Sequence, residues 1–237
     1  MIHKENPDIF LTMESNKDWE IAIQELKSAY PNYKEIALEN TYGMHFFTRL
    51  KVHRLQIHYF VADDLPSLEV ELETSDGYRF VFFGVHPPPP SPTEEETYKE
   101  RDGDLLCVAK KAKVNPLPVV ITSDFNTVAW SRVSILFKKV SGLIDARYGR
   151  GDLATFHSKY WFFRIPLDLL YHSTNVFINE LKILPSIGSD HFPMSCTFYI
   201  DKDNSAQEKD VKHLDASEKE EVEELILEGK EEDSENR

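Results

Sequence analysis

The stretch that most constrains this chain is Pro118-Val-Val-Ile-Thr-Ser-Asp-Phe-Asn-Thr127. Four apolar or β-branched residues run unbroken into a small polar turn, the pattern of a strand buried on both faces. A strand of this kind ends by delivering Asp124 and Asn126, a carboxylate and a carboxamide, at the edge of a sheet. Ile187-Gly-Ser-Asp-His-Phe-Pro193 is a second delivery and sets Asp190 beside His191. Between the two, Arg164-Ile-Pro-Leu-Asp168 brings another carboxylate to the start of an apolar run. The chemistry is expected at these three clusters, with the rest of the chain as scaffold.

Pro7–Met13 reads as a short buried strand with Glu14 at its end. Ser15 or Asn16 can cap a helix in which Trp19, Ala22, Ile23, Leu26, Ala29 and Tyr30 recur at amphipathic spacing until Pro31 stops it. Residues 34–85 alternate turn signals with strand runs near 36–38, 44–47, 55–60, 67–72 and 78–85. Tyr78–Val85 is apolar on both alternating sets, so it predicts a central strand covered on both sides. It ends at His86, and the four prolines that follow cannot continue a sheet interior. Helices are expected over 93–114 and 131–140, and strands over 119–122, 161–163 with 168–171, 176–184 and 194–200.

The formal charge of −14 is unevenly distributed. From Asp201 onward fifteen Asp and Glu stand against six Lys and Arg, which gives the tail −9 and leaves −5 for residues 1–200. A mildly acidic globular part argues against a tight, sequence-blind grip on duplex DNA. Residues 201–237 predict a solvated or disordered acidic tail, in which Ser217 with Glu220 could box one short helix carrying Val222, Leu225 and Ile226. The two cysteines, Cys107 and Cys196, sit in apolar runs and read as buried reduced thiols. With no apolar run long enough to span a bilayer and no signal-peptide pattern at Met1, the chain reads as a soluble, cytoplasmic protein.

Glu14, His86, Asp124, Asn126, Asp168, Asp190 and His191 thus all fall at strand ends. Hard oxygen donors suit Mg²⁺ or Mn²⁺ rather than zinc, which would want more His or Cys. An Asp beside a His fits an oriented base, and Asn a neutral donor to a phosphoryl oxygen. Metal-assisted phosphoester hydrolysis is the reaction that uses the whole set.

The joint pattern resembles the endonuclease/exonuclease/phosphatase superfamily over about residues 7–200. "PDIFLTME" is similar to that family's strand ending in a metal-binding glutamate, here Glu14, and "VFFGVHPPPP" to its histidine-bearing strand. "VVITSDFNT" is similar to its G-D-F-N motif, with Ser123 in place of the glycine. "RIPLDLL" resembles the strand whose aspartate orients the last histidine, and "GSDHFP" the terminal S-D-H motif. The resemblance implies an α+β fold, the DNase I-like four-layer α/β/β/α sandwich, and a Mg²⁺-dependent phosphoesterase, nuclease or phosphatase. In it Glu14 and Asp190 hold the metal, Asp124 aligns or activates water, and Asn126 and His191 meet the phosphate. His86 stands near the leaving group, and Asp168 orients His191. The "HPPPP", "RIPLD" and "SDHFP" forms are most similar to the uncharacterised bacterial branch. The family pattern places a strand and helix ahead of "PDI"; here six residues precede Pro7, so that first strand and helix are not expected. The competing expectation is a non-catalytic binding module of the same fold, inactive for want of that strand. The partners implied are a phosphate-ester substrate and, for the nuclease branch, nucleic acid.

Overall fold

The computed structural model describes residues 1–90 and 97–232. In chain order the strands are β1 (Ile9–Met13), β2 (Asn32–Ile36), β3 (Met44–Thr48), β4 (Lys51–Tyr59), β5 (Pro66–Glu73), β6 (Arg79–Val85), β7 (Val119–Asp124), β8 (Ile144–Asp145), β9 (Asp168–His172), β10 (Val176–Ile183) and β11 (Met194–Ile200). The helices are α1 (Ile2–Glu5), α2 (Lys17–Ala22), α3 (Lys99–Lys113), α4 (Arg132–Ser141) and α5 (Ala216–Glu231).

Six strands form the main sheet in the order β4-β5-β6-β7-β9-β8, with β6 and β7 parallel and the other neighbours antiparallel. Alternation along the central strands builds two cores at once. Val81, Phe83 and Val85 of β6, Val119 and Ile121 of β7 and Leu169 and Tyr171 of β9 face one core, which α3, α4 and α5 cover. Phe80 and Phe82, Val120 and Leu170 face the other. A strand apolar on both sets needs cover on both faces, and both faces have it.

The second core is closed by two small antiparallel sheets, β1-β3-β2 and β10-β11. Gly84 lets them approach, because a Cβ there would lie 2.6 Å from Leu11 Cδ2. Behind β1 and β3, Phe10 and Phe47 pack with Ile23, Leu26 and Tyr30, so that α2 and the 3₁₀ turn Gln24–Ser28 form the outermost layer. The result is helix, sheet, sheet, helix. Among the described residues the second β layer is in two pieces, with β1 pairing with β3 alone and β11 with β10 alone.

Four sequence expectations change. The helix expected after Asn16 breaks at Ala22 and tightens into the 3₁₀ turn, with burial falling on Ile23, Leu26 and Tyr30 while Trp19 stays exposed. The helix expected over 93–114 is α3, starting at Lys99; residues 93–96 lie outside the described residues. Trp161–Phe163 is a turn, not a strand, and its apolar side chains are exposed, with no strand pairing beside it among the described residues. The tail expected to be solvated or disordered is, through Glu232, largely ordered. The helix α5 is boxed by Asp215 and Glu218 rather than Ser217 and Glu220, and it buries Val222 and Ile226 in the first core. Ion pairs from Arg132 and Lys139 to Glu218 and from Lys110 to Glu223 explain how so acidic a helix docks. Among the described residues no helix is long and apolar enough to cross a membrane. Both cysteines are free and half-buried, and burial pushes the Cys107 thiol up to about 11 and that of Cys196 up to about 12.

Candidate active site

Strand register assembles the site. In the antiparallel β7–β9 pair, Asp124 lies directly opposite Asp168. Two carboxylates facing across strands repel unless a positive group joins them. His191, in the loop before β11, does so. Its Nδ1 lies 2.7 Å from Asp168 Oδ2 and its Nε2 lies 3.5 Å from Asp124 Oδ2. These three side chains offer ligand atoms that all lie within 4.8 Å of one another.

Parallel pairing of β6 with β7 matches Val85 to Ser123, so His86 follows at the same sheet edge as Asp124. Met13 is tied to that edge by the Asp124 backbone N–H, which points at Met13 Sδ at 3.3 Å. Glu14 follows with a left-handed backbone (φ 54), its carboxylate largely exposed and 3.9 Å from His86 Nε2. A non-glycine residue held there is uncommon away from turns and functional sites.

Glu14, His86, Asp124, Asp168, Asp190 and His191 all line one cavity of about 370 Å³, whose remaining wall is largely apolar. Asn126 is not part of that lining. Its backbone N–H donates to Asp124 Oδ1 at 2.9 Å and its carboxamide donates to the Pro87 carbonyl at 2.9 Å, which fastens the exit of β6 to the exit of β7. Glu14 and Asp190, the pair expected to hold metal, border the cavity without joining the compact Asp124–Asp168–His191 group.

The model of the Endonuclease/Exonuclease/phosphatase family matches residues 1–191. The chain belongs to this family. No curated protein matches it. Solved structures that resemble it include zebrafish (D. rerio) TDP2 complexed with single-strand DNA product, at TM-score 0.70 and 16% identity, covering 84% of this chain and 88% of that one. The Bacteroides thetaiotaomicron mannosyl-6-phosphatase aligns at TM-score 0.63 and 19% identity over 84% and 88% of the two chains. The human Nocturnin catalytic domain with bound sulfate anion aligns at TM-score 0.65 and 17% identity over 84% and 83%. At such identities the likeness is one of fold, and the fold is DNase I-like. Members of the endonuclease/exonuclease/phosphatase family generally use divalent metal ions, and an Asp-Asp-His cluster is present in this member.

Two residues that support this candidate site carry no signal in the sequence pattern. Thr155 is fully buried and its Oγ1 accepts the Asp168 backbone N–H at 3.2 Å. The Phe156 ring packs 4.9 Å from the His191 imidazole. Both sit in an irregular segment where neither period 2 nor period 3.6 marks an inward position.

Environment separates the protonation states. Burial alone would lower the His191 value, but the hydrogen bond with Asp168 and the charges of Asp124, Asp168 and Asp190 raise it to about 9. His191 therefore carries its proton at neutral pH. Asp124 is pushed up, first by burial and then by the charge of Asp168. His86 moves the other way. Fully enclosed, with neither ring nitrogen hydrogen-bonded among the described residues, it is lowered by burial from 6.5 to about 4.

That shift has a sign. The unfolded chain takes a proton on His86 as pH falls below about 6.5, and the folded chain does so only near 4. The stability linked to His86 is therefore fully present above about 6.5 and is lost as pH falls towards 4, reaching about 2 kcal/mol by pH 5. His86→Gln should thus flatten the fall in Tm between pH 7 and pH 5 by about 4–8 °C in chelator-containing buffer. An equal slope in the variant would contradict the assignment.

Proposed function

We propose that this protein is a Mg²⁺-dependent phosphoesterase, with Mn²⁺ as a competent substitute. The observation that carries the reading is the Asp168–His191–Asp124 chain, 2.7 and 3.5 Å long, on a cavity that also gathers Glu14, His86 and Asp190. The cavity gathers Glu14, Asp124, Asp168 and Asp190 around one imidazolium, and Asp124 is pushed up first by burial and then by the charge of Asp168. A divalent cation relieves that charge, and carboxylate oxygens are the donors Mg²⁺ prefers. Glu14 and Asp190 would hold the ion, which would supply charge neutralisation at the phosphoryl group.

The side chains then take distinct roles. Asp124 accepts the proton of the attacking water, whose oxygen forms the new bond to phosphorus as the bond to the leaving oxygen breaks. His191 is already protonated, so its Nε2–H donates to a phosphoryl oxygen, while Asp168 fixes the ring and sustains its charge. A neutral, enclosed His86 is a poor source of a full proton. Asn126 positions the His86–Pro87 turn.

Nuclease against phosphatase turns on the charge outside the cavity. The net charge of −14 favours a small phosphodiester or phosphomonoester over a long polyanion. Hydrolysis of bis(p-nitrophenyl) phosphate and p-nitrophenyl phosphate, with Mg²⁺ and with EDTA, tests the reading. A Mg²⁺ concentration ten times its dissociation constant should also add about 1.4 kcal/mol to stability, or about 3–5 °C in Tm, and Glu14→Gln should abolish that gain. The non-catalytic alternative is favoured by one feature, the engagement of the Asn126 carboxamide with Pro87. A Mg²⁺-dependent shift without turnover on any phosphoester would support it.

A further inference from the structure

The loop that braces His191 carries a cluster of aromatic rings the phosphoesterase reading does not use. Tyr160, Trp161, Phe162 and Phe163 follow one another in an exposed turn, with Trp161 83% and Phe162 73% accessible. Lys159 and Arg164 flank them, both exposed. Soluble surfaces rarely hold consecutive large apolar side chains in water without a use for them.

The turn is anchored to the cavity. Phe156 bridges Ile165 across the base of the loop and bridges His191 on its other side. The Ser158 backbone N–H donates to the Asp190 carbonyl at 2.6 Å. The rings therefore project from the same rim that presents Asp190 and His191 to substrate. What meets them must be compatible with a phosphate a short distance away.

Ring geometry narrows the partner. Trp161 and Phe162 meet at 6.1 Å with planes 87° apart, and Tyr160 and Phe162 at 5.9 Å with planes 46° apart. Rings set edge-on or tilted do not form the flat platforms on which successive bases stack, and a charge of −14 repels an oligonucleotide. A projecting tip of four residues is also small beside the patch that a stable protein–protein contact needs. Splayed Trp, Tyr and Phe side chains flanked by Lys and Arg match the composition found at the headgroup level of a bilayer.

We propose that Tyr160–Phe163 is a membrane-docking tip that seats the active-site rim on a phospholipid surface. The choice of a phosphate-bearing surface rests on the phosphoesterase reading, whereas the tip itself stands on exposure and composition. Flotation of the full chain with phosphatidylcholine/phosphatidylethanolamine vesicles tests it. The native chain should float with the vesicles, and the Trp161→Ala/Phe162→Ala variant should lose about tenfold in partitioning. Its Tm and its rate on water-soluble bis(p-nitrophenyl) phosphate should stay within experimental spread and about twofold respectively, since neither residue lines the cavity. No flotation of the native chain, or equal flotation of the variant, overturns the proposal. It is equally overturned if the substitutions abolish binding to a thymidine 15-mer while vesicles are ignored, which would assign the rings to bases. Flotation lost in the variant, in a protein that hydrolyses no phosphoester, would keep the docking tip and remove the enzymatic reading.

Discussion

His191→Ala is expected to lower kcat/KM on a small phosphoester by at least about a hundredfold, and up to about ten-thousandfold, as loss of a positioned acid–base group does. The imidazolium bridges two carboxylates that otherwise face each other across β7 and β9. Its removal takes away a donor to the phosphoryl oxygens and leaves Asp124 and Asp168 opposed, so Asp124 would hold its proton to still higher pH. Asp168→Asn separates the orienting role from the chemical one. Without that charge the His191 value falls from about 9 towards its ordinary 6.5, and the alkaline limb of the pH–rate profile should move down with it. A rate for His191→Ala within threefold of the native enzyme would remove His191 from the mechanism. An unmoved alkaline limb in Asp168→Asn would assign that limb to another group.

Truncation after His213 is expected to be the most damaging change to stability. The acidic segment it removes is, in large part, a structural helix. Val222 and Ile226 lie in the core beneath α3 and α4, with Leu214 and Leu225 packed at its margin. Burial of two such side chains contributes about 3–6 kcal/mol, against a total of about 5–15 kcal/mol for a domain. The truncated chain should melt at least about 10 °C lower or aggregate. A point substitution checks the docking without removing mass. Gly→Ala inside a helix ordinarily stabilises by about 1 kcal/mol. At Gly229 a Cβ would lie 2.7 Å from the Lys99 carbonyl oxygen and 3.0 Å from Gly103 Cα, where backbone cannot give way cheaply. Gly229→Ala should therefore destabilise, by about 1–3 kcal/mol. A stabilised Gly229→Ala, or an unaltered melt after truncation, would mean that α5 is not held against α3 in solution.

The sequence by itself determined where the central strands run. Glu14, His86 and Asp124 could be placed at strand ends, and Asp168 at a strand start, because a buried strand is a local pattern and the polar residue that borders it is its neighbour in the chain. The two-faced β6 was legible for the same reason, since Phe80 and Val81 begin two apolar sets of period 2. Where local pattern was silent, the reading failed. Trp161–Phe163 looks like strand, yet a strand needs a partner that no local feature supplies. The acidic composition of 201–232 hid a docked helix, because its apolar stripe is only Val222, Leu225 and Ile226 and its charges are matched by Arg132, Lys139 and Lys110 from elsewhere.

Tertiary structure alone decided which of the site residues act as a unit. Cross-strand register set Asp124 opposite Asp168, and a loop closure set His191 between them. A Pro87 carbonyl drew the Asn126 carboxamide away from the cavity. Burial then lowered His86, while the hydrogen bond with Asp168 and the surrounding carboxylates raised His191 against its own burial. Each of these outcomes depends on distances between residues far apart in the chain, and on the loss of water around them, neither of which is written in any local run of amino acids.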